Sequence, residues 1–225
     1  MERTYCRTCV RPIRTCYCEH VQTFDPKIEF VILIHRLEVR RGIASGRMSH
    51  LCLENSKLIM GYDYTHDERV NAILGDPAKY PVILFPGPTS ANLSHMSMSE
   101  REMVFPKDKQ LVVFVIDGTW STAGKTLRRS KNLHHLPRIC FIPTGPSRFR
   151  VRTQPKEGCF STLEAIHQTI EMVGPLKGFD PSSKQQDRLL HVFDKMVEQQ
   201  LEFIRESLRT NRHSRHGRGP QRPYI

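Results

Sequence analysis

No run of about 18 apolar residues occurs in this 225-residue chain, so a membrane-spanning helix is not expected. The first 20 residues are polar and carry four cysteines where a secretory signal would be apolar, and a soluble, cytoplasmic protein follows as the expectation. Acidic residues are scarce relative to basic ones. Twenty-three Asp and Glu face 34 Lys and Arg, a formal net charge of +11, and such a surplus favours a polyanionic partner, nucleic acid before an acidic membrane surface. No Gly-x-Gly-x-x-Gly follows any apolar run, which weighs against a dinucleotide-binding Rossmann domain. No internal repeat is visible, nothing points to an obligate protein partner, and a monomer or homodimer is expected. Tryptophan occurs once, at Trp120.

A secreted disulfide framework is missing too. The seven cysteines are odd in number, and four of them fall between Cys6 and Cys18. Cys6-x2-Cys9-x6-Cys16-x-Cys18 can surround one tetrahedral Zn²⁺, with Arg3, Arg7, Arg11 and Arg14 offsetting the charge of four thiolates. An iron–sulfur cluster is the alternative, and local disulfides fit poorly with the missing signal. A closed four-thiolate site has no open position, so its expected role is structural.

The apolar runs that are present read as strands buried on both faces, because they are rich in β-branched residues and do not alternate. They are Glu29 to His35, Tyr80 to Pro88 with its end cut off by Pro86-Gly87-Pro88, Leu111 to Ile116 and a shorter one from Arg138 to Pro143; Lys57 to Met60 adds a fifth. Helical patterns lie between them: residues 46–55 after Ser45, a stretch from Ser121 or Thr122 towards Ser130, residues 162–173 and residues 184–208. The fold class expected is α/β with a mostly parallel sheet. Residues 62–76 read as irregular or weakly helical, and 91–104 as loop with at most a turn of helix. Three parts follow: a zinc knuckle over 1–25, an α/β domain over 26–208, and a disordered basic tail over 209–225 containing Arg209, Arg212 and Arg215.

Chemistry concentrates where the central apolar run stops, at Asp117-Gly118-Thr119-Trp120. A polar loop between a buried strand and a helix is where ligands bind in open α/β sheets. The plain alternative is a tight turn in which Asp117 caps the helix. His35 and Glu38 stand past another strand's end, and Pro86-Gly87 cuts off a third. Lys125, Arg128 and Arg129 form a basic run on one helical face. Arg148, Arg150 and Arg152 alternate around Phe149, which in extended chain would put three guanidinium groups on one side. Ser161-Thr162-Leu163-Glu164 has the form of a capping box, and such a helix start can receive an anionic group.

Asp117-Gly118-Thr119-Trp120 followed by Ala123, with the cysteine-rich start, His35-x-x-Glu38 and Ser161 to Ala165 in the same order, resembles the DTW-domain family, which is similar to the tRNA-uridine aminocarboxypropyltransferases. The resemblance spans roughly residues 5 to 175. It implies a SPOUT-like fold with a C-terminal trefoil knot, and S-adenosylmethionine as co-substrate. It also implies transfer of the 3-amino-3-carboxypropyl group to N3 of a uridine in tRNA. Asp117, Thr119 and Trp120 become the catalytic candidates. His35, Glu38, Pro86, Gly87, Asp117, Gly118, Thr119, Arg152, Ser161, Thr162 and Glu164 become candidates for holding the donor, and Lys125, Arg128, Arg129, Arg148, Arg150, Arg209, Arg212 and Arg215 for holding RNA. Asp117 can serve as base or as anchor for the donor's ammonium. Two other readings stand beside this one, a SPOUT-type RNA methyltransferase and a non-catalytic zinc-knuckle RNA-binding protein.

Overall fold

The structure, a computed structural model, describes residues 4–39, 44–151 and 159–209. Six strands form one sheet in which every pairing is parallel: β1 (Glu29–His35), β2 (Ser56–Gly61), β3 (Lys79–Leu84), β4 (Ala91–Asn92), β5 (Gln110–Asp117) and β6 (Arg138–Cys140), in the order β2-β1-β5-β3-β6-β4. Both faces are covered, as the unbroken apolar runs require. Val31, Leu33, Val112, Phe114 and Ile116 meet α3 (Glu68–Leu74) and α5 (Trp120–Arg129) on one side. Phe30, Ile32, Val113 and Val115 meet α2 (Ser45–Cys52), α6 (Thr162–Val173) and α7 (Asp187–Arg209) on the other. The remaining helices are short, α1 (Arg36–Val39) and α4 (Met98–Val104).

Several boundaries differ from the sequence expectation. α2 begins at Ser45 itself and ends at Cys52. α5 is capped by Thr119, whose hydroxyl accepts from the Thr122 backbone N–H, so the cap lies before Ser121 and is not Asp117. Residues 62–76 hold the regular helix α3, capped by the Asp67 carboxylate on two backbone N–H groups. Residues 91–104 hold a short strand and α4, with a complete Ser97–Glu100 capping box that the serine- and methionine-rich composition concealed. β6 stops at Cys140, and α7 starts at Asp187 because Lys184 takes a left-handed conformation with φ of 56°. Residues 144–151 form a loop, not an extended strand: the Arg150 N–H donates to the Arg148 carbonyl at 2.8 Å across a tight turn at Phe149, whose ring packs edge-on against Phe193 at 5.2 Å.

At the amino end of the sheet, Glu29 is buried between two lysines, Lys57 and Lys79, the latter at 2.6 Å. Burial works to raise its pKa, but the two hydrogen-bonded ammonium groups outweigh this and hold it below the usual carboxylate value. Its contribution to stability is therefore complete above the unfolded value near 4.5 and is lost as pH falls through the lower folded value. Glu29→Gln is expected to cost about 3 kcal/mol at neutral pH, since a buried pair loses one partner. Urea unfolding at pH 7 and pH 3 checks it: the gap between wild type and variant should narrow in acid, and a gap independent of pH would assign the loss to packing.

Candidate functional site

Adjacent strands β1 and β5 send their connections to opposite faces, α2 on one side and α5 on the other, and such a switch point is where open α/β sheets bind ligands at their strands' carboxyl ends. Asp117 ends β5 there, in register with Ile34, and is 4% exposed. Its Oδ1 accepts from the Thr162 hydroxyl at 2.6 Å and lies 3.4 Å from the Ser45 hydroxyl. Ser45 and Thr162 are the first residues of α2 and α6, so two helices present their positive ends to one carboxylate, while a third helix, α5, begins three residues along the chain.

Two glycines make this possible. A Cβ on Gly46 would lie 2.6 Å from Asp117 Cγ, so α2 can approach only because that position has no side chain. A Cβ on Gly118 would meet the Thr122 hydroxyl at 2.6 Å. Tyr64 forms part of the support: fully buried, its hydroxyl reaches the carbonyl oxygens of Ile34 at 3.3 Å and Ile59 at 3.0 Å, tying the ends of β1 and β2. Neither Gly46 nor Tyr64 carries a sequence signal for this role; both become visible only through contacts distant in the chain.

Trp120, the first residue of α5, is 46% exposed and lies edge-on to Phe85 at 6.2 Å. Phe85 leads into Pro86-Gly87, so β3 brings that loop beside the Asp117 loop. His35, half-buried, pairs with Gly61 at the end of β1, one residue beyond Ile34. Glu38 falls in α1, its side chain outside the described residues. Ser161 caps α6, and Glu164 completes the box. The Glu164 carboxylate also accepts from the Ser147 hydroxyl at 2.8 Å and the Arg148 backbone N–H at 2.6 Å, which fastens the 144–151 loop to α6. Arg148 itself pairs with Asp194 of α7 at 2.6 Å, so it does not extend beside Arg150 as alternation would have it. Arg150 is exposed, as are Lys125, Arg128 and Arg129. Arg152, Arg212, Arg215 and the Arg209 side chain lie outside the described residues.

The cysteine cluster is assembled. The four sulfurs of Cys6, Cys9, Cys16 and Cys18 lie within 4.8 Å of one another, with Cys6–Cys18 at 3.7 Å and Cys9–Cys16 at 3.6 Å. Tetrahedral metal–sulfur bonds of about 2.3 Å imply sulfur separations of about 3.8 Å. Backbone N–H groups of Cys9 and Thr8 draw the Cys6 thiol down to about 6, whereas burial pushes Cys16 and Cys18 up. Arg11, 3% exposed, stacks on Tyr17 at 5.7 Å, and its Nε and Nη1 have no hydrogen-bond partner among the described residues. Tyr17, Cys9 and Cys16 are the groups beside it whose ionised forms would favour its charge. A buried guanidinium calls for an anionic neighbour, and a thiolate cluster supplies one. The knuckle is docked on α7, with Cys9 and Tyr17 in its core and Arg14 over the Phe203 ring at 5.4 Å.

These features define an α/β domain with a buried carboxylate between two helix starts at a strand-end switch point, and a knuckle whose four cysteines could hold a metal. The chain belongs to the DTW domain family, whose model matches residues 3–201. It is 29% identical over 178 residues to tRNA-uridine aminocarboxypropyltransferase 2 of Drosophila melanogaster, covering 76% of this chain and 67% of that one. The proteins of the same name from Macaca fascicularis and Mus musculus are 25% and 27% identical, and the chain spans 57% of the length of each. No solved structure matches it.

Proposed function

We propose that this protein is a tRNA-uridine aminocarboxypropyltransferase, moving the 3-amino-3-carboxypropyl group from S-adenosylmethionine to N3 of a uridine in tRNA. Support comes from the family membership and from one observation above others: the buried Asp117 carboxylate set between two helix starts beside an exposed tryptophan. The donor, when bound, supplies an electrophilic carbon next to its sulfonium. N3 loses its proton and bonds to that carbon, the carbon–sulfur bond breaks, and its electron pair leaves with neutral methylthioadenosine. Asp117 either takes the N3 proton or holds the donor's ammonium. Its setting favours the second, because a carboxylate already accepting from hydroxyl groups is a better counter-charge than proton acceptor. Trp120 offers a flat face for a base, over a floor formed by Phe85 and the Pro86-Gly87 loop. Ser161 and Thr162, at the start of α6, are the groups we assign to the donor's carboxylate together with Arg152. Gly118 and Thr119 shape the loop, His35 and Glu38 border it, and Glu164 acts through the loop it fastens. Arg148, Arg150 and the basic tail carry phosphates.

Zinc is the ion we assign to the four cysteines, as a structural centre. The SPOUT affiliation and the C-terminal knot also belong to this proposal; the insertion of β5 between the earlier strands β1 and β3 is compatible with them. We place the enzyme in the cytoplasm, where thiols stay reduced. Among the described residues no helix is long and apolar enough to cross a membrane.

Incubation with bulk tRNA and S-adenosylmethionine, followed by nucleoside mass spectrometry, tests the reading. Uridine carrying the aminocarboxypropyl mass is expected. An added methyl would assign the same donor with another carbon, and unmodified RNA with no donor binding would leave only an RNA-binding knuckle protein. Gly46→Ala gives a narrower check: the new methyl must displace the Asp117 side chain. Overpacking of about 1 to 3 kcal/mol and a donor affinity at least tenfold weaker are expected. Calorimetric donor binding at the wild-type value would show that Asp117 does not face the donor.

A further inference from the structure

α5 does more than carry Trp120 at its start. Its buried face is Ala123, Thr126 and Leu127, and its outer face exposes Trp120, Ser121, Lys125, Arg128 and Arg129. At its far end Arg129 lies over the ring of Tyr62 at 5.3 Å, and Tyr62 is itself 44% exposed. That end is fixed. Thr65 Oγ1 donates to the Arg129 carbonyl at 3.1 Å and accepts from the Lys131 N–H at 3.1 Å, and the Ser130 hydroxyl accepts from the Tyr64 N–H at 3.0 Å. Tyr62 and Arg129 are therefore held on one rigid support with the helix. Along the helix, nine residues separate Trp120 from Arg129, a rise of about 13 Å, or roughly two to three nucleotides of extended single strand. No Asp or Glu occurs between Asp117 and Glu157, and the one carboxylate adjoining Tyr62 in the chain, Asp63, is engaged by the Thr65 backbone N–H at 3.0 Å and hydroxyl at 2.7 Å and lies near the Arg129 charge.

We propose that the outer face of α5 is a track for a single-stranded RNA segment, running from Trp120 at the reaction site to a second stacking platform formed by Tyr62 on Arg129. An aromatic at each end with basic side chains between them is the arrangement that binds unpaired bases and their phosphates; a duplex keeps its bases stacked inside and can use only the charges. The substrate class is then a tRNA loop in which a base two or three positions from the target uridine is unpaired and stacks on Tyr62. This inference rests on the proposed activity for the identity of the RNA, but the track can be tested without turnover.

Tyr62→Ala, Tyr62→Phe and Arg129→Met are compared with wild type. The measurements are fluorescence-anisotropy binding of a fluorescein-labelled single-stranded RNA decamer and of a blunt-ended RNA duplex, and KM for tRNA in the transfer assay. Tyr62→Ala and Arg129→Met are expected to weaken single-strand binding and raise KM for tRNA about tenfold, with donor affinity unchanged. Tyr62→Phe should stay near wild type, and the duplex should lose affinity with Arg129→Met but not with Tyr62→Ala. Equal single-strand affinity for wild type and Tyr62→Ala overturns the track whether or not transfer is observed. Absence of transfer with the binding pattern intact overturns the proposed activity and leaves the track standing. Because Tyr62 is exposed, the alanine variant keeps the fold, and an unchanged melting temperature verifies that.

Discussion

Asp117→Asn is expected to lower aminocarboxypropyl transfer by roughly 10²- to 10⁴-fold, about 3 to 5 kcal/mol of transition-state stabilisation, while folding and tRNA affinity survive. Asparagine keeps the size of the side chain, so Gly46 still packs against it and its carbonyl oxygen can still accept from Thr162. Only the negative charge is lost. The helix cap is untouched, because α5 is capped by Thr119, and a loss of this size cannot be blamed on a melted turn. The two roles of Asp117 separate in binding. As an anchor for the donor's ammonium, the variant binds S-adenosylmethionine more weakly by about tenfold or more, the worth of a charge-assisted hydrogen bond. As a base, it binds the donor normally and loses turnover, and the deficit shrinks as pH rises and more uridine is already deprotonated. Calorimetric donor affinity and a pH–rate profile from 6 to 9.5 distinguish them. A variant that transfers at near wild-type rate would move the chemistry to the other candidates, His35, Glu38 and Arg152.

Replacing Cys16 and Cys18 together by serine is expected to remove the metal and lower stability by about 3 kcal/mol or more, a fall in melting temperature of roughly 6 to 12 °C. The knuckle is too short to bury a core of its own, and it shares Cys9 and Tyr17 with the main one, so losing its centre exposes part of the α7 face. Arg11 would add to the loss, because its buried guanidinium would keep its desolvation cost without the thiolates. Elemental analysis of the wild type should find about one zinc per chain. A brown, iron-containing preparation would change the metal, and a metal-free protein of undiminished stability would remove the site altogether.

The sequence by itself determined the parallel sheet, because runs such as Glu29 to His35 and Leu111 to Ile116 have no polar face to turn to water and must be covered on both sides. It determined the cysteine cluster, whose ligands lie within thirteen residues of one another, and the α6 capping box, which is a local pattern of four residues. It also marked Asp117 as the place where a buried strand ends. Local patterns misled where local and tertiary preferences diverged. Arg148, Arg150 and Arg152 alternate as if in a strand, but over the described residues 144–151 a tight turn at Phe149, closed by the Arg150 N–H on the Arg148 carbonyl and anchored by Phe193, makes a loop. The serine-rich stretch before α4 hid a helix whose Ser97–Glu100 box was nonetheless written in it. Only the tertiary structure decided what surrounds Asp117. Ser45 is 72 residues before it and Thr162 is 45 after it, and they meet there because β5 enters the sheet beside β1 while α2 and α6 pack on one face with their starts at the same edge. The same holds for Tyr62 and Arg129, joined through Thr65 and Lys131. Such sites are absent from a sequence reading for a physical reason: the side chains that build them are held together by the burial of other residues, and none of them carries a pattern of its own.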